Sequence, residues 1–307
     1  MPTRRTLRDN LITLLLLATV GSVGVSVAAP AQLVCHLQDP EVNESSGLAA
    51  SSRSPDYFFT HNDSGDSARI FAVNRQGETL ATFRVPGAKN VDWEDMARGR
   101  DPQGHHVLYV GDIGDNSAQR DQVQVYQIPE PEVDPTRRGV RTESAPATRF
   151  ELQYPDGPHD SETLLVNMAN GTLYLVTKER LLRASGVYAT TAPLDPGQVN
   201  RLTKVGWIRF LSLPATIRSL TDSLGRTMAT AGDISPEGDR VVLRTYTDAY
   251  EWKIPRFDVG AAFRVEPTRL SLPAMRQGES AAYTQDGKAI LFGSEKPKSP
   301  IYEVPRP

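Results

Sequence analysis

Asp92-Trp93-Glu94-Asp95 places three carboxylates and a tryptophan ahead of an apolar run over 106–110. So much negative charge at the opening of a strand calls for a cation, a cationic partner or open water. Glu94 is not alone in its setting. Ser46, Glu162, Thr230 and Glu279 open similar apolar runs, and the five positions are spaced by 48, 68, 68 and 49 residues. Three carboxylates and two hydroxyls around one axis form an oxygen-only donor set of the kind that suits Ca²⁺, which accepts 6–8 oxygen ligands in loose geometry. A shift of one or two residues in this alignment substitutes Glu44, Asp92, Asp160 or Asp233, so the acidity survives it. The bland alternative is that each side chain caps its own strand through backbone N–H groups.

A second set of polar residues closes the runs that follow. These are His61, Asn62 and Asp63; Asp112 with Asp115 and Asn116; Lys178; Arg244 with Tyr246 and Asp248; and Glu295. If they surround the same mouth, it has an acidic half and a basic half. A metal with Lys and Arg holds an anionic oxygen ligand such as phosphate or carboxylate. In a hydrolytic reading Asp112 or His159 activates water, while Lys178 and Arg244 stabilise developing charge. Loop ends that merely pair among themselves give the same composition. Gly111-Asp112-Ile113-Gly114-Asp115-Asn116 has neither the Gly-Lys-Ser/Thr of a phosphate loop nor the spacing of an EF-hand, and no Gly-x-Ser-x-Gly elbow occurs. His105-His106 falls at the opposite mouth and reads as incidental.

Positioning these residues requires a repeat. From residue 42 onward, short β-branched and aromatic runs alternate with Gly, Pro, Asn and Asp, and no helical period persists. Four-strand units are predicted at 46–50, 57–60, 69–73 and 79–85; at 94–97, 107–110, 123–128 and 149–154; at 162–166, 173–177, 186–190 and 201–210; and at 230–234, 241–245, 249–254 and 262–272. A fifth unit, 279–283, 289–293 and 301–304, lacks its last strand, and 32–37 is a spare one. The expectation is an all-β, five-bladed β-propeller whose N-terminal strand completes the last blade. Six blades are the alternative, because the 199–228 region is long. Within it, 211–226 reads as a blade-to-blade loop with a short helix, and the Pro- and Arg-rich segment 129–146 as a mobile loop on the opposite face. Trp93 and Met96 should enter the blade packing, with Asp95 capping a turn or facing water.

Length and charge limit the partners. The chain has 307 residues, a net charge of −3 and a pI near 6.0, with 23 Gly and 23 Pro. A near-neutral balance without a basic stripe argues against nucleic acid. Arg4, Arg5 and Arg8, an apolar run over 11–27 and the small residues Ala28-Ala29-Pro30-Ala31 read as an export signal. Thr3-Arg4-Arg5-Thr6-Leu7 loosely fits a twin-arginine signal, with an ordinary secretory signal as the alternative. The expected organisation is therefore a 1–31 signal peptide and a single domain over 32–307, secreted or periplasmic. The mature chain should carry no membrane span and act as a monomer on a small anionic substrate or ligand. Cys35 is the only cysteine, so no disulfide forms within the chain.

The Ser46, Glu94, Glu162, Thr230, Glu279 order and Leu108-Tyr109-Val110-Gly111 before Ile113-Gly114 resemble the calcium-activated nucleotidases (apyrases). The resemblance implies a secreted five-bladed propeller with central Ca²⁺ and cleavage of phosphoanhydrides. Thr230 stands where that family has Ser, and Asp115-Asn116 where it has basic and aromatic residues. The chain is also similar to exported bacterial propellers without assigned function through Gly111-Asp112-x-Gly114-Asp115-Asn116, Thr245-Tyr246-Thr247-Asp248-Ala249-Tyr250 and Gln277-Gly278-Glu279. Some of these carry phytase- or esterase-like labels. Three activities follow as expectations: a metal-dependent phosphoester or phosphoanhydride hydrolase, a non-catalytic calcium-stabilised propeller that binds protein or glycan, and a lactonase or esterase.

Overall fold

A computed structural model describes residues 30–179, 184–210 and 225–306. It is an all-β, five-bladed propeller. Strand β1 (Gln32–His36) precedes blade one, which consists of β2 (Ser45–Ala50), β3 (Tyr57–Asn62), β4 (Arg69–Asn74) and β5 (Thr79–Arg84). Blade two holds β6 (Trp93–Arg100), β7 (His106–Asp112) and β8 (Val123–Pro129). After β9 (Val140–Glu143), which pairs elsewhere, β10 (Thr148–Gln153) completes blade two. Blade three comprises β11 (Ser161–Asn167), β12 (Thr172–Thr177) and β13 (Ser185–Ala189). Past β14 (Val199–Arg201), β15 (Thr203–Ile208) is its outer strand. Blade four is β16 (Ala229–Ile234), β17 (Arg240–Thr245), β18 (Ala249–Lys253) and β19 (Thr268–Leu270). Blade five is β20 (Gly278–Tyr283), β21 (Ala289–Ser294) and β22 (Pro300–Pro305).

The N-terminal strand closes the ring as expected. β1 runs antiparallel to β22, with Leu33 opposite Tyr302 and Cys35 opposite Ile301. Closure satisfies backbone groups that both strands would otherwise present as an open edge. Five apolar clusters fill the spaces between neighbouring blades. Trp93 and Met96 pack with Phe59, Leu80, Val110 and Tyr126 between blades one and two, while Leu37, Leu48, Phe71 and Ile301 pack between blades five and one. Burial raises the Cys35 thiol to about 11 and keeps it protonated at neutral pH.

Four expectations change. The 129–146 segment is no free loop: β9 pairs in parallel with β5, Ala81 opposite Val140, and Arg84 Nε donates to Glu143 at 3.1 Å. It covers the outer edge of blade one. The predicted strand at 201–210 splits, because buried Leu202 packs between blades two and three and sends Val199–Arg201 to the edge of blade two, beside β10. The predicted strand at 262–272 shrinks to Thr268–Leu270. Before it, Val259–Ala262 forms a helical turn capped by the Asp258 carboxylate, which accepts from the Ala261 N–H at 2.9 Å. Asp95 neither caps a turn nor meets water. It is fully buried, and its carboxylate accepts from the N–H groups of Met96 (2.9 Å) and of Leu164 in blade three (3.0 Å). An inward-facing carboxylate here joins two inner strands that have no shared ladder. The 211–226 loop and the 1–31 signal lie outside the described residues, apart from 225–226 and 30–31.

Candidate functional site

Each inner strand begins with a β-bulge, and the residues the sequence aligns are the ones the bulges leave unpaired. Pairing shifts between Trp93 and Asp95, Ser161 and Thr163, Ala229 and Ala231, and Gly278 and Ser280. The extra residues are Glu94, Glu162, Thr230 and Glu279. In blade one the shift spans Ser45 to Leu48 and includes Ser46. A bulge re-aims a side chain without ending the strand, so all five blades present their opening residue at one mouth of the channel.

The acidic residues there do not form one symmetric ring. Asp63, Asp92 and Glu94 converge, with one carboxylate oxygen of each within 4.8 Å of the others. Asp63 ends the β2–β3 pairing, its N–H donating to Glu44 O at 2.9 Å. Asp92 is set by its N–H, which donates to Asp112 at 3.1 Å. Glu94 is buried, and among the described residues no donor reaches its carboxylate. Gly114 roofs this group: a Cβ on it would stand 2.3 Å from Glu94 Oε1 and 2.4 Å from Asp92 Oδ2. Burial pushes Asp63 up to about 6, and burial with nearby Asp160 raises Asp92. Burial with Asp63 and Asp92 takes Glu94 well above the usual carboxylate range. Asp160 adds a buried Oδ2 with no partner among the described residues, while its Oδ1 accepts from Asp115 N at 2.9 Å.

The other half of the mouth has its own cation. Lys178, at the end of β12, forms an ion pair with Glu162, and both side chains are buried. Its ammonium lies 5.3 Å from the centre of the Tyr246 ring. Glu279 lies close enough to Lys178 to feel its charge, yet burial and Glu295 push it up to about 8. Glu295 is held by Gln277 Nε2 at 2.6 Å and Lys296 at 3.1 Å. The two hydroxyls stitch neighbouring blades: Ser46 Oγ donates to Glu94 O at 2.5 Å and Thr230 Oγ1 to Gly278 O at 2.7 Å. Their lone pairs stay available as acceptors.

The remaining predicted residues are spread around this mouth or behind it. Asp112 is fully buried, accepting from the Val91 and Asp92 N–H groups and pairing with Arg120 at 2.9 Å. Arg244 is fully buried: Nη1 donates to Ser280 O (3.1 Å) and Gly293 O (2.6 Å), and a Cβ on Gly278 would fall 1.5 Å from its Nη2. Burial lowers it to about 9. Asn62 clamps the 41–44 turn by accepting from the Asn43 and Glu44 N–H groups and donating to Glu41 O at 2.7 Å. His61 is buried edge-on against Trp93 with ring centres 5.4 Å apart, and burial lowers it to about 4, so it is neutral. Asp115 accepts from Arg120 N at 2.7 Å, Asp248 pairs with Arg269, and Asn116 is exposed. His159 stands in a separate group on blade three. Its Nε2 is 3.0 Å from Asp156 and from the Tyr188 hydroxyl, and Lys204 pairs with Asp156 at 3.0 Å.

The donor set at Asp63, Asp92 and Glu94 is hard oxygen throughout, with a backbone roof that no side chain obstructs and an unsatisfied carboxylate oxygen on Asp160 beside it. That chemistry fits a Ca²⁺-type ion. Two contributors escaped the repeat alignment. Asp63 closes a second strand rather than opening a first, where the sequence placed it among the mouth residues, and Asp92 lies two residues before Glu94, where it entered only as a register alternative. No protein-family model and no curated protein matches this chain.

Proposed function

We propose that the protein is an exported, cation-stabilised binding propeller. In this reading a Ca²⁺-type ion is held by Asp63, Asp92 and Glu94, joins blades one and two, and keeps open coordination positions toward the mouth. A protein or glycan ligand would occupy those positions with its own carboxylate or hydroxyl oxygens. The carrying observation is the convergence of three carboxylates within 4.8 Å around buried Glu94. Like charges at that distance stay ionised only with a cation among them. Lys178 cannot serve all of them, since it is already paired with Glu162.

Binding ranks ahead of hydrolysis because of where the cations are. A phosphoester hydrolase needs positive groups facing the transferred phosphoryl. Arg244 is fully buried, with Nε and Nη1 tied to backbone carbonyls and Nη2 packed against Gly278, Lys178 is ion-paired, and His159 is engaged with Asp156 and Tyr188.

Metal analysis of the purified mature protein, with calcorimetric titration of calcium after chelation, tests this reading. Bound calcium lost in Glu94→Gln, without turnover of nucleotides, aryl phosphates or lactones, is the expected result. Absence of a bound divalent ion together with no thermal shift in millimolar calcium would sink it. Chelator-sensitive phosphate release that disappears in Glu94→Gln would instead select the hydrolase.

A further inference from the structure

The opposite mouth of the channel has the opposite character. There the five inner strands end around a cavity of about 260 Å³ that takes one wall residue from each blade: Ser52, Arg98, Met168, Pro236 and Gln285. Arg100 and His106 complete the blade-two side. Among the described residues no carboxylate lines it. The acidic groups within electrostatic reach of Arg98 are Asp233, Glu130, Glu237 and Asp286, and each has partners elsewhere. Glu130 accepts from the Ser51 hydroxyl and Ser52 N–H, and Asp233 from the N–H groups of Tyr283 and Ile234. Asp286 accepts from Thr284 and Lys288, and Glu237 lies 4.0 Å from Arg306.

Among the described residues, two buried polar atoms on side chains that line this cavity lack partners. Arg98 is buried, and its Nη2 is fixed by Tyr283 O (3.2 Å) and Thr284 O (2.8 Å), while its Nε has no acceptor among the described residues. The Nδ1 of His106 is likewise buried and unpartnered. Leaving such atoms unpaired is costly, and both belong to residues that line the same cavity. Arg100 contributes an exposed guanidinium whose Nη1 donates to Gly104 O at 2.8 Å. Fixed guanidinium and imidazole donors in a partly desolvated hollow are the chemistry of oxyanion recognition.

We propose that this mouth binds a small oxyanion of the carboxylate or phosphate class, held by Arg98, Arg100 and His106. The volume lies below the usual range for drug-sized ligands, which limits the occupant to a small anion. The cavity lies at the other end of the inner strands from the acidic mouth: on β6, Arg98 follows Glu94 by four residues.

The test uses the mature protein in chelator, titrated with inorganic phosphate and with malonate. Calorimetry and nitrogen-detected histidine NMR give the readouts, with the His106 signal assigned through His106→Gln. Saturable binding of either anion with a shift of the His106 ring is expected, weakened about tenfold in Arg100→Gln by loss of one charge-assisted contact. Phosphate and malonate responses distinguish the two anion sources. Arg100 is exposed, so that variant retains the fold even if one at Arg98 does not. Absence of binding by both anions, or unchanged binding in the Arg100→Gln/His106→Gln double variant, would overturn the proposal.

Discussion

Lys178 and Glu162 form a buried ion pair at the acidic mouth of the channel, and this pair divides the five-blade ring in two. On its side the charge is neutralised within the chain. On the side of Asp63, Asp92 and Glu94 it is not. Lys178→Met should therefore leave Glu162 buried and unpaired, destabilising the protein by about 3–5 kcal/mol. Glu162→Gln in the same chain should restore most of the loss. Chemical denaturation of the two single variants and the double variant measures the coupling, and strict additivity would contradict the pairing.

Calcium should stabilise the fold through the other half. At free calcium a hundredfold above its dissociation constant the gain is about 2.7 kcal/mol. Asp92→Asn and Glu94→Gln should each abolish that gain. Differential scanning calorimetry in calcium and in chelator reads the effect, and an equal calcium shift in the variants would remove these residues from the site.

The pH dependence of the chelated protein has a definite sign. Burial and Glu295 raise Glu279 to about 8, and burial raises Asp233 to about 6. A carboxyl with a higher pKa folded than unfolded stabilises the fold while protonated. Its contribution is full below the unfolded value near 4 and is lost as pH rises through the folded value. The melting temperature should consequently fall between about pH 4 and pH 8 from these two groups. A thermal scan series in chelator checks this. Glu279→Gln should flatten the upper part of the decline; a wild-type-like slope there would assign the effect to other groups.

Arg98 reaches across the channel from blade two to the carbonyls of Tyr283 and Thr284 in blade five, two blades that are not neighbours. Arg98→Met removes hydrogen bonds from a charged donor and should cost about 2–3 kcal/mol. Equilibrium unfolding in urea tests it, and a change below about 0.5 kcal/mol, the level of a surface substitution, would show that the bridge carries no stability.

Closure by the N-terminal strand predicts a different failure. Leu37 is buried between blades five and one, and Leu37→Ala should destabilise by about 2–5 kcal/mol. Removing residues before Gln38 also exposes the β22 edge, so self-association by light scattering should rise.

Much of this architecture was legible in the residues themselves. Alternation of short apolar runs with turn residues gave five units, the missing strand after 304 pointed to the spare one at 32–37, and the repeat aligned Ser46, Glu94, Glu162, Thr230 and Glu279 onto five bulges. Those features are periodic, and periodicity survives in a linear chain. What the fold alone decided is which charges meet. Lys178 follows Glu162 by 16 residues but reaches it only because β12 folds back on β11. Asp63 joins Glu94 from another blade, and Arg98 finds its acceptors 185 and 186 residues away. Asp95, which reads as a surface residue beside Glu94, turns inward to bind the N–H of Leu164. A one-residue bulge reverses the direction of a side chain at little cost in sequence signal, so although the place of Trp93 in the blade packing was legible, the turn of Asp95 into an inter-strand tie needed the tertiary structure.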